Sequence, residues 1–215
     1  MHGFCRNGLI MKKYLSFILI VFWIVSFSFS AVGCDLNDPD RDVKRLFPVS
    51  TGYKTLYLSL NKDNLSKIEQ RLGDRFTGLY ETVDVPYTLY EIYQNKSLIG
   101  YIHGVNQKGH YGGLQVFLAL NKEGVIEGFY YQKLTSKEAS IFRSQAFAAQ
   151  FTGLSLNEFY DFDIKTLRGN AAVLAIKNLA TTAEDDFRST LRAVKKNLIL
   201  VDEFALSNKH LPYYK

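Results

Sequence analysis

The chain has 215 residues, of which 47% are hydrophobic and 14% aromatic, and it carries a formal net charge of +5. That apolar content excludes an intrinsically disordered chain and is enough for a single packed core. Three of the 26 basic residues, Arg6, Lys12 and Lys13, precede Cys34 and no acidic residue does, so the remainder balances 23 basic against 21 acidic side chains and implies no nucleic-acid partner.

The first segment sets the compartment. Lys12 and Lys13 precede an apolar run from Tyr14 to Phe29, which ends at Ala31-Val32-Gly33-Cys34. Charged n-region, hydrophobic h-region and small-residue cleavage site in that order predict an export signal over residues 1–33. The signal is more typical when started at Met11, which makes residues 1–10 an upstream extension. Its end resembles a bacterial lipobox, with Ala31 in place of the usual Leu, and implies lipidation of Cys34 and a membrane-anchored lipoprotein facing the periplasm or cell exterior. The nineteen residues from Tyr14 to Val32 also meet the length of an uncleaved membrane anchor. Cys5 and Cys34 are the only cysteines, so a chain beginning at Cys34 forms no internal disulfide.

Asp35 to Arg45 is polar and is expected to be a tether over 34–45, with the folded domain spanning 46–207 and a short tail over 208–215. Leu65, Ile68 and Leu72 lie at helical spacing behind Asp63-Asn64, a candidate N-cap, and Gly73 is placed to end that helix. Tyr90 to Tyr93 and Ile99 to Ile102 flank the hairpin signal Asn95-Lys96-Ser97; Leu114 to Leu120 and Val125 to Tyr131 flank the turn Asn121 to Gly124. Four sequential strands predict an antiparallel sheet. Helical spacing returns around Ala139 to Phe151 and again after Thr182, where Phe187, Leu191, Val194, Leu198 and Val201 form one apolar face, with Arg188, Arg192, Lys195 and Lys196 on the rest. Thr181 and Glu184 have the spacing of a capping box for that helix. The fold class is therefore α+β, an antiparallel sheet with flanking helices in one domain.

Few residues signal chemistry outright. There is no Gly-x-Ser-x-Gly, no P-loop, no Rossmann fingerprint and no nucleophile with an attendant base, so no catalytic residue is assigned. His103 and His110 flank the turn near Gly109 without a third ligand at metal spacing. Gly109, Gly112 and Gly113 suit either a plain tight turn or a loop laid against a planar or phosphate-bearing ligand.

Three motifs in order carry a resemblance: Gly109-His110-Tyr111-Gly112-Gly113, then Lys122-Glu123-Gly124-Val125-Ile126-Glu127-Gly128, then Phe147-Ala148-Ala149-Gln150-Phe151-Thr152-Gly153. Together they resemble the FMN-binding domain found in the G subunit of Rnf electron-transport complexes and the C subunit of sodium-translocating NADH:quinone reductases. The resemblance spans roughly residues 85–200. It implies an FMN-binding, membrane-tethered electron-transfer protein outside the cytoplasm, working with a membrane redox complex. It also implies a threonine esterified to the FMN phosphate by a flavin transferase. The family's Ser-Gly-Ala-Thr attachment motif corresponds to Asn178-Leu179-Ala180-Thr181, which makes Thr181 the acceptor, Thr182 the second choice and Ala180 a neighbour. Ser and Gly are replaced, and the upstream Asp is Ala175. Tyr111, Gly112 and Gly113 of the glycine turn, and Thr135 and Glu138 of the loop after the hairpin, fall where the flavin is expected. Lys133 and Lys137 are positioned for its phosphate or N1 region, and Tyr101, Tyr111, Tyr130 and Tyr131 are candidates for stacking. The altered attachment motif equally supports an alternative, a flavin-free lipoprotein using the same fold as a binding or scaffolding module. A non-covalent flavin is the intermediate case.

Overall fold

In a computed structural model the described residues are 34–77, 79–81 and 85–210, so the segment expected to be an export signal and the last five residues lie outside them. Five strands, β1 (Gly52–Leu58), β2 (Tyr87–Gln94), β3 (Ser97–Lys108), β4 (Gly113–Asn121) and β5 (Ile126–Leu134), form one antiparallel sheet in sequence order. Four of these strands match the segments expected from the sequence, with Val125 left in the turn before β5. The fifth, β1, was not foreseen; it pairs Gly52 to Leu58 against Tyr93 to Tyr87 at the sheet edge, where no residue of it is fully buried.

Local chemistry explains the turns. Only Asn95 and Lys96 separate β2 from β3, and Asn95 takes φ 58, the left-handed conformation that two-residue hairpins demand. Between β4 and β5 the Asn121 side chain accepts from the amides of Glu123 and Val125, each at 3.0 Å, which closes the turn from within. Both turns hold neighbouring strands in the register that alternates core and outer faces.

One face of the sheet carries the main core. There Leu89, Val105, Val116, Leu118, Leu120 and Ile126 meet α7 (Glu184–Phe204) together with α2 (Lys62–Leu72) and the segment from Phe142 to Ile176. Residues 139–176 contain α3 (Ala139–Phe142), α4 (Gln145–Ala148), α5 (Leu156–Phe159) and α6 (Ala171–Leu174), each a single turn rather than the longer helix expected over 139–151. Arg143 is the C-cap of the first of them and Ser144 caps the next, accepting from the Phe147 amide at 3.2 Å. The motif around Phe147 is used for packing: Phe147 and Phe151 are fully buried, Phe151 stacks on Phe129 at 4.4 Å between ring centroids, and Gly153 donates to the Ile126 carbonyl at 2.8 Å.

The 21-residue helix α7 departs from the expected amphipathic pattern. Phe187, Leu191, Val194, Leu198 and Val201 are buried as the spacing requires, yet Lys195, Lys196, Asn197 and Asp202 are buried too. Lys195 donates to the Phe162 carbonyl at 2.7 Å, and Lys196 to Glu81 Oε1 and the Asn106 carbonyl, both at 2.6 Å. Burial lowers both lysines to about 8, opposed at Lys196 by the Glu81 carboxylate. Sequence periodicity placed these lysines on a solvated face; buried carbonyl and carboxylate acceptors hold them inside instead. Arg71 of α2 pairs with Asp202 and reaches Glu203 at 3.5 Å, which clamps α2 to α7. The cap of α2 is Asn61 rather than Asp63 or Asn64, its side chain accepting from the Asn64 amide at 2.8 Å, while Gly73 ends the helix at φ 73 as expected.

The opposite sheet face corrects the expected tether. Pro39–Leu46 is an α-helix, α1, capped by Asp38, and Val43 and Phe47 join Cys34, Leu36, Tyr90, Ile92, Ile102, Phe117 and Ala119 in a second core. The preceding residues are held by hydrogen bonds: Leu36 N to the Tyr90 hydroxyl at 3.1 Å, Asn37 N to Gln132 Oε1 at 2.9 Å, and Gln132 Nε2 to the Asp35 carbonyl at 2.8 Å. A polar composition concealed a helix whose few apolar residues cover one sheet face. The molecule is thus three layers: α1, the sheet, and the helices around α7.

Candidate functional site

The residues singled out from three separate stretches of sequence come together at one corner, where the β3–β4 loop, the segment after β5 and the start of α7 meet. Gly109 N donates to the Gly112 carbonyl at 2.7 Å, and Thr135 N to the Gly113 carbonyl at 3.3 Å. Gly112 has φ 153, and a Cβ there would stand 3.1 Å from the Thr135 side chain. A Cβ on Gly113 would stand 2.7 Å from the Tyr80 ring, and one on Gly109 2.8 Å from the Asp186 carboxylate. The glycines are therefore required by this chain's own side chains, which occupy the space beside the loop.

Helix α7 contributes carboxylates. Asp186, 1% exposed, accepts from the His110 amide through Oδ1 at 2.7 Å, while its Oδ2 is buried with no hydrogen-bond partner among the described residues. Asp185 lies 3.1 Å from His110 Nδ1. Glu138 accepts a hydrogen bond from the Thr182 hydroxyl. The exposed Tyr111 ring meets His110 edge-on at 4.5 Å and lies under Lys137 Nζ at 4.9 Å.

Thr181 behaves differently from the expectation. The residue before the first turn of α7 is Ala183, with no side-chain cap, because a turn from Ala180 to Ala183, closed by a 3.0 Å backbone bond, intervenes. Glu184 instead accepts from Asn178 Nδ2 at 2.9 Å and from Arg188 Nε at 3.0 Å. The capping box is absent, and Thr181 is exposed with a hydroxyl that meets no partner among the described residues. Ala180 is fully buried beneath it.

The other candidates are elsewhere. Tyr101 and Tyr131 are buried in the sheet, Tyr131 hydrogen-bonding Thr190 at 2.6 Å. Tyr130 packs on Phe117 on the α1 face, and Lys133 is exposed. His103 is wholly buried against Asn197, at 2.8 Å, and burial lowers its pKa to about 4. Cys34 is 4% exposed, its Sγ 3.8 Å from Gln115 Nε2, and burial raises its thiol to about 12. Among the described residues no group of three or more His, Cys, Asp or Glu side chains is arranged to hold a metal ion. Asp186 and Tyr80, which shape the loop, were not anticipated; three consecutive acids at a helix start were the one available signal for the former.

The corner fits an FMN phosphoester poorly. A helix N-terminus attracts phosphate through unpaired amides and the positive end of its dipole. Here Glu184, Asp185 and Asp186 fill the first turn, the Arg188 guanidinium is engaged by Glu184, and Glu138 holds Thr182. The phosphodiester formed at Thr181, a monoanion, would face the carboxylates of the first turn with little compensating charge. Neither a scan against family models nor a search of curated proteins finds a match to this chain.

Proposed function

We propose that this chain is an exported, membrane-held binding module with the layout of an FMN-binding domain, in which the flavin-attachment corner is closed by the chain's own side chains. The observation that carries this reading is the filled corner: Thr135, Tyr80 and Asp186 occupy the space beside Gly112, Gly113 and Gly109, and the orphaned carboxylate oxygen of Asp186 adds charge of the wrong sign for phosphate. The electron-transfer role and its membrane redox partner lose their cofactor on this reading.

Export and tethering rest on the segment before Cys34. Among the described residues no helix is long and apolar enough to cross a membrane. Cys34 is 4% exposed, so lipidation of its sulfur requires that side chain to leave its buried position beside Gln115.

One observation favours the second reading, a covalent flavin: the Thr181 hydroxyl is exposed and unpaired, as an acceptor must be. The two separate in one experiment. The full chain is produced with a flavin transferase in an exporting host, alongside Thr181→Ala and Thr182→Ala, and its denatured band is examined for flavin fluorescence. A dark band for all three, with no flavin absorbance in the native protein, is the expected result. Fluorescence abolished by Thr181→Ala alone establishes the covalent flavoprotein and removes the present proposal.

A further inference from the structure

A second feature lies away from the glycine corner. A cavity of about 480 Å³ straddles the open edge of β5, between α1 and the turn that ends α3. It lies within the range of small-molecule sites, about 300–1,000 Å³. Arg41, Arg45 and Arg143 line it with a single carboxylate, Asp42, which leaves a charge of +2 in the wall. Phe129, Phe142 and Tyr130 add aromatic surface.

Two of the arginines, Arg45 and Arg143, are held by specific contacts, while the Arg41 side chain is 67% exposed. Arg45 Cζ stands 4.4 Å over the Tyr130 ring, and Arg45 Nη2 is 3.3 Å from Asp42 Oδ1. Arg143 Nη1 donates to the Tyr131 carbonyl at 2.6 Å, which fixes the guanidinium at the strand edge. Arg41 Nη2 lies 3.5 Å from the same Asp42 oxygen. Each guanidinium has five N–H donors in a rigid fork, so these contacts leave most of them for an incoming anion.

We infer that this cavity binds a phosphate monoester carrying a small organic body, the dianion between Arg41, Arg45 and Arg143 and the body against Phe129, Tyr130 and Phe142. The +2 wall matches a dianionic phosphate better than a monocarboxylate, and guanidinium forks bind phosphate oxygens two at a time. The site stands whether or not flavin is attached at Thr181, because it shares none of that corner's residues. Such a phosphate belongs either to a soluble metabolite or to a membrane lipid such as phosphatidic acid.

The test uses the full chain in nanodiscs of neutral lipid, titrated with phenyl phosphate and inorganic phosphate and followed by calorimetry, with a parallel set containing phosphatidic acid. Saturable binding of phenyl phosphate, stronger than that of inorganic phosphate, is expected. Arg45→Gln should weaken it by about tenfold or more, Arg45→Lys less, with melting temperatures unchanged. Raising the salt should weaken it further. If phosphatidic acid in the disc suppresses the phenyl phosphate titration and Arg45→Gln relieves that suppression, the source is lipid; if it does not, the source is soluble. Absence of saturable binding to either probe, or binding indifferent to Arg45→Gln and Arg143→Gln, overturns the inference.

Discussion

Individual residues already separate the competing accounts of the corner. A threonine that caps a helix typically contributes about 1 kcal/mol, lost on truncation to alanine. Thr181 caps nothing, so Thr181→Ala should change the free energy of unfolding by less than about 0.5 kcal/mol, the ordinary surface value. A loss near 1 kcal/mol in urea unfolding would restore the capping box. Gly113→Ala is the opposite case: its Cβ would press on Tyr80 at 2.7 Å, and overpacking of this kind costs about 1–3 kcal/mol, measurable by the same unfolding curves. If Gly113→Ala is neutral, the loop has open space and the ligand-cradle reading regains ground. His103 supplies a pH signature. Its imidazole stays neutral in the fold down to about pH 4, whereas the unfolded chain takes up the proton near pH 6.5. Between those values the unfolded state binds more protons, so stability falls as pH falls, by roughly 3 kcal/mol over the whole window. His103→Gln should flatten that part of a stability-versus-pH profile; an unchanged slope would place the titration elsewhere.

At the scale of elements, the clamp between α2 and α7 and the docking of α1 are the two joints that hold the layers. Arg71 and Asp202 are 2% and fully buried as side chains, and removing one partner of such a pair leaves an uncompensated charge in the interior. Arg71→Met should therefore destabilise the protein by about 3–5 kcal/mol, whereas the double replacement Arg71→Met with Asp202→Leu should recover part of that loss in thermal melting, Glu203 remaining as a buried carboxylate without its guanidinium. Equal destabilisation by the double variant would mean the pair is net favourable rather than merely tolerated. Helix α1 has a different logic. It contributes few apolar side chains, but Val43 and Phe47 with Cys34 and Leu36 cover Ile92, Ile102 and Phe117, which a free tether would leave in water.

For the molecule as a whole, what was legible in the sequence followed from periodicity, and what was hidden followed from tertiary contacts. The alternation in β2 to β5 and the Asn-Lys turn gave the meander, and the spacing of Phe187 to Val201 gave the face of α7 that meets the sheet. Burial of Lys195 and Lys196 was invisible, because it depends on Glu81 and on the carbonyls of Asn106 and Phe162, distant in sequence. The helix at Pro39–Leu46 was masked by its charges, and β1 by the absence of a buried residue. At the corner, the meeting of Tyr111, Gly112, Thr135, Glu138 and Thr182 could be anticipated from motif order, but the side chains that fill it could not. Tyr80 reaches the glycine loop from a 3₁₀ turn with no pattern of its own, and Asp186 from a helix start marked only by its run of acids. The central claim, that this corner is closed to flavin, is tested most directly by the intact mass of the exported chain after co-production with an active flavin transferase and a flavin-accepting control protein. The account predicts a mass without the flavin adduct while the control is fully modified; a stoichiometric adduct that disappears in Thr181→Ala would contradict it.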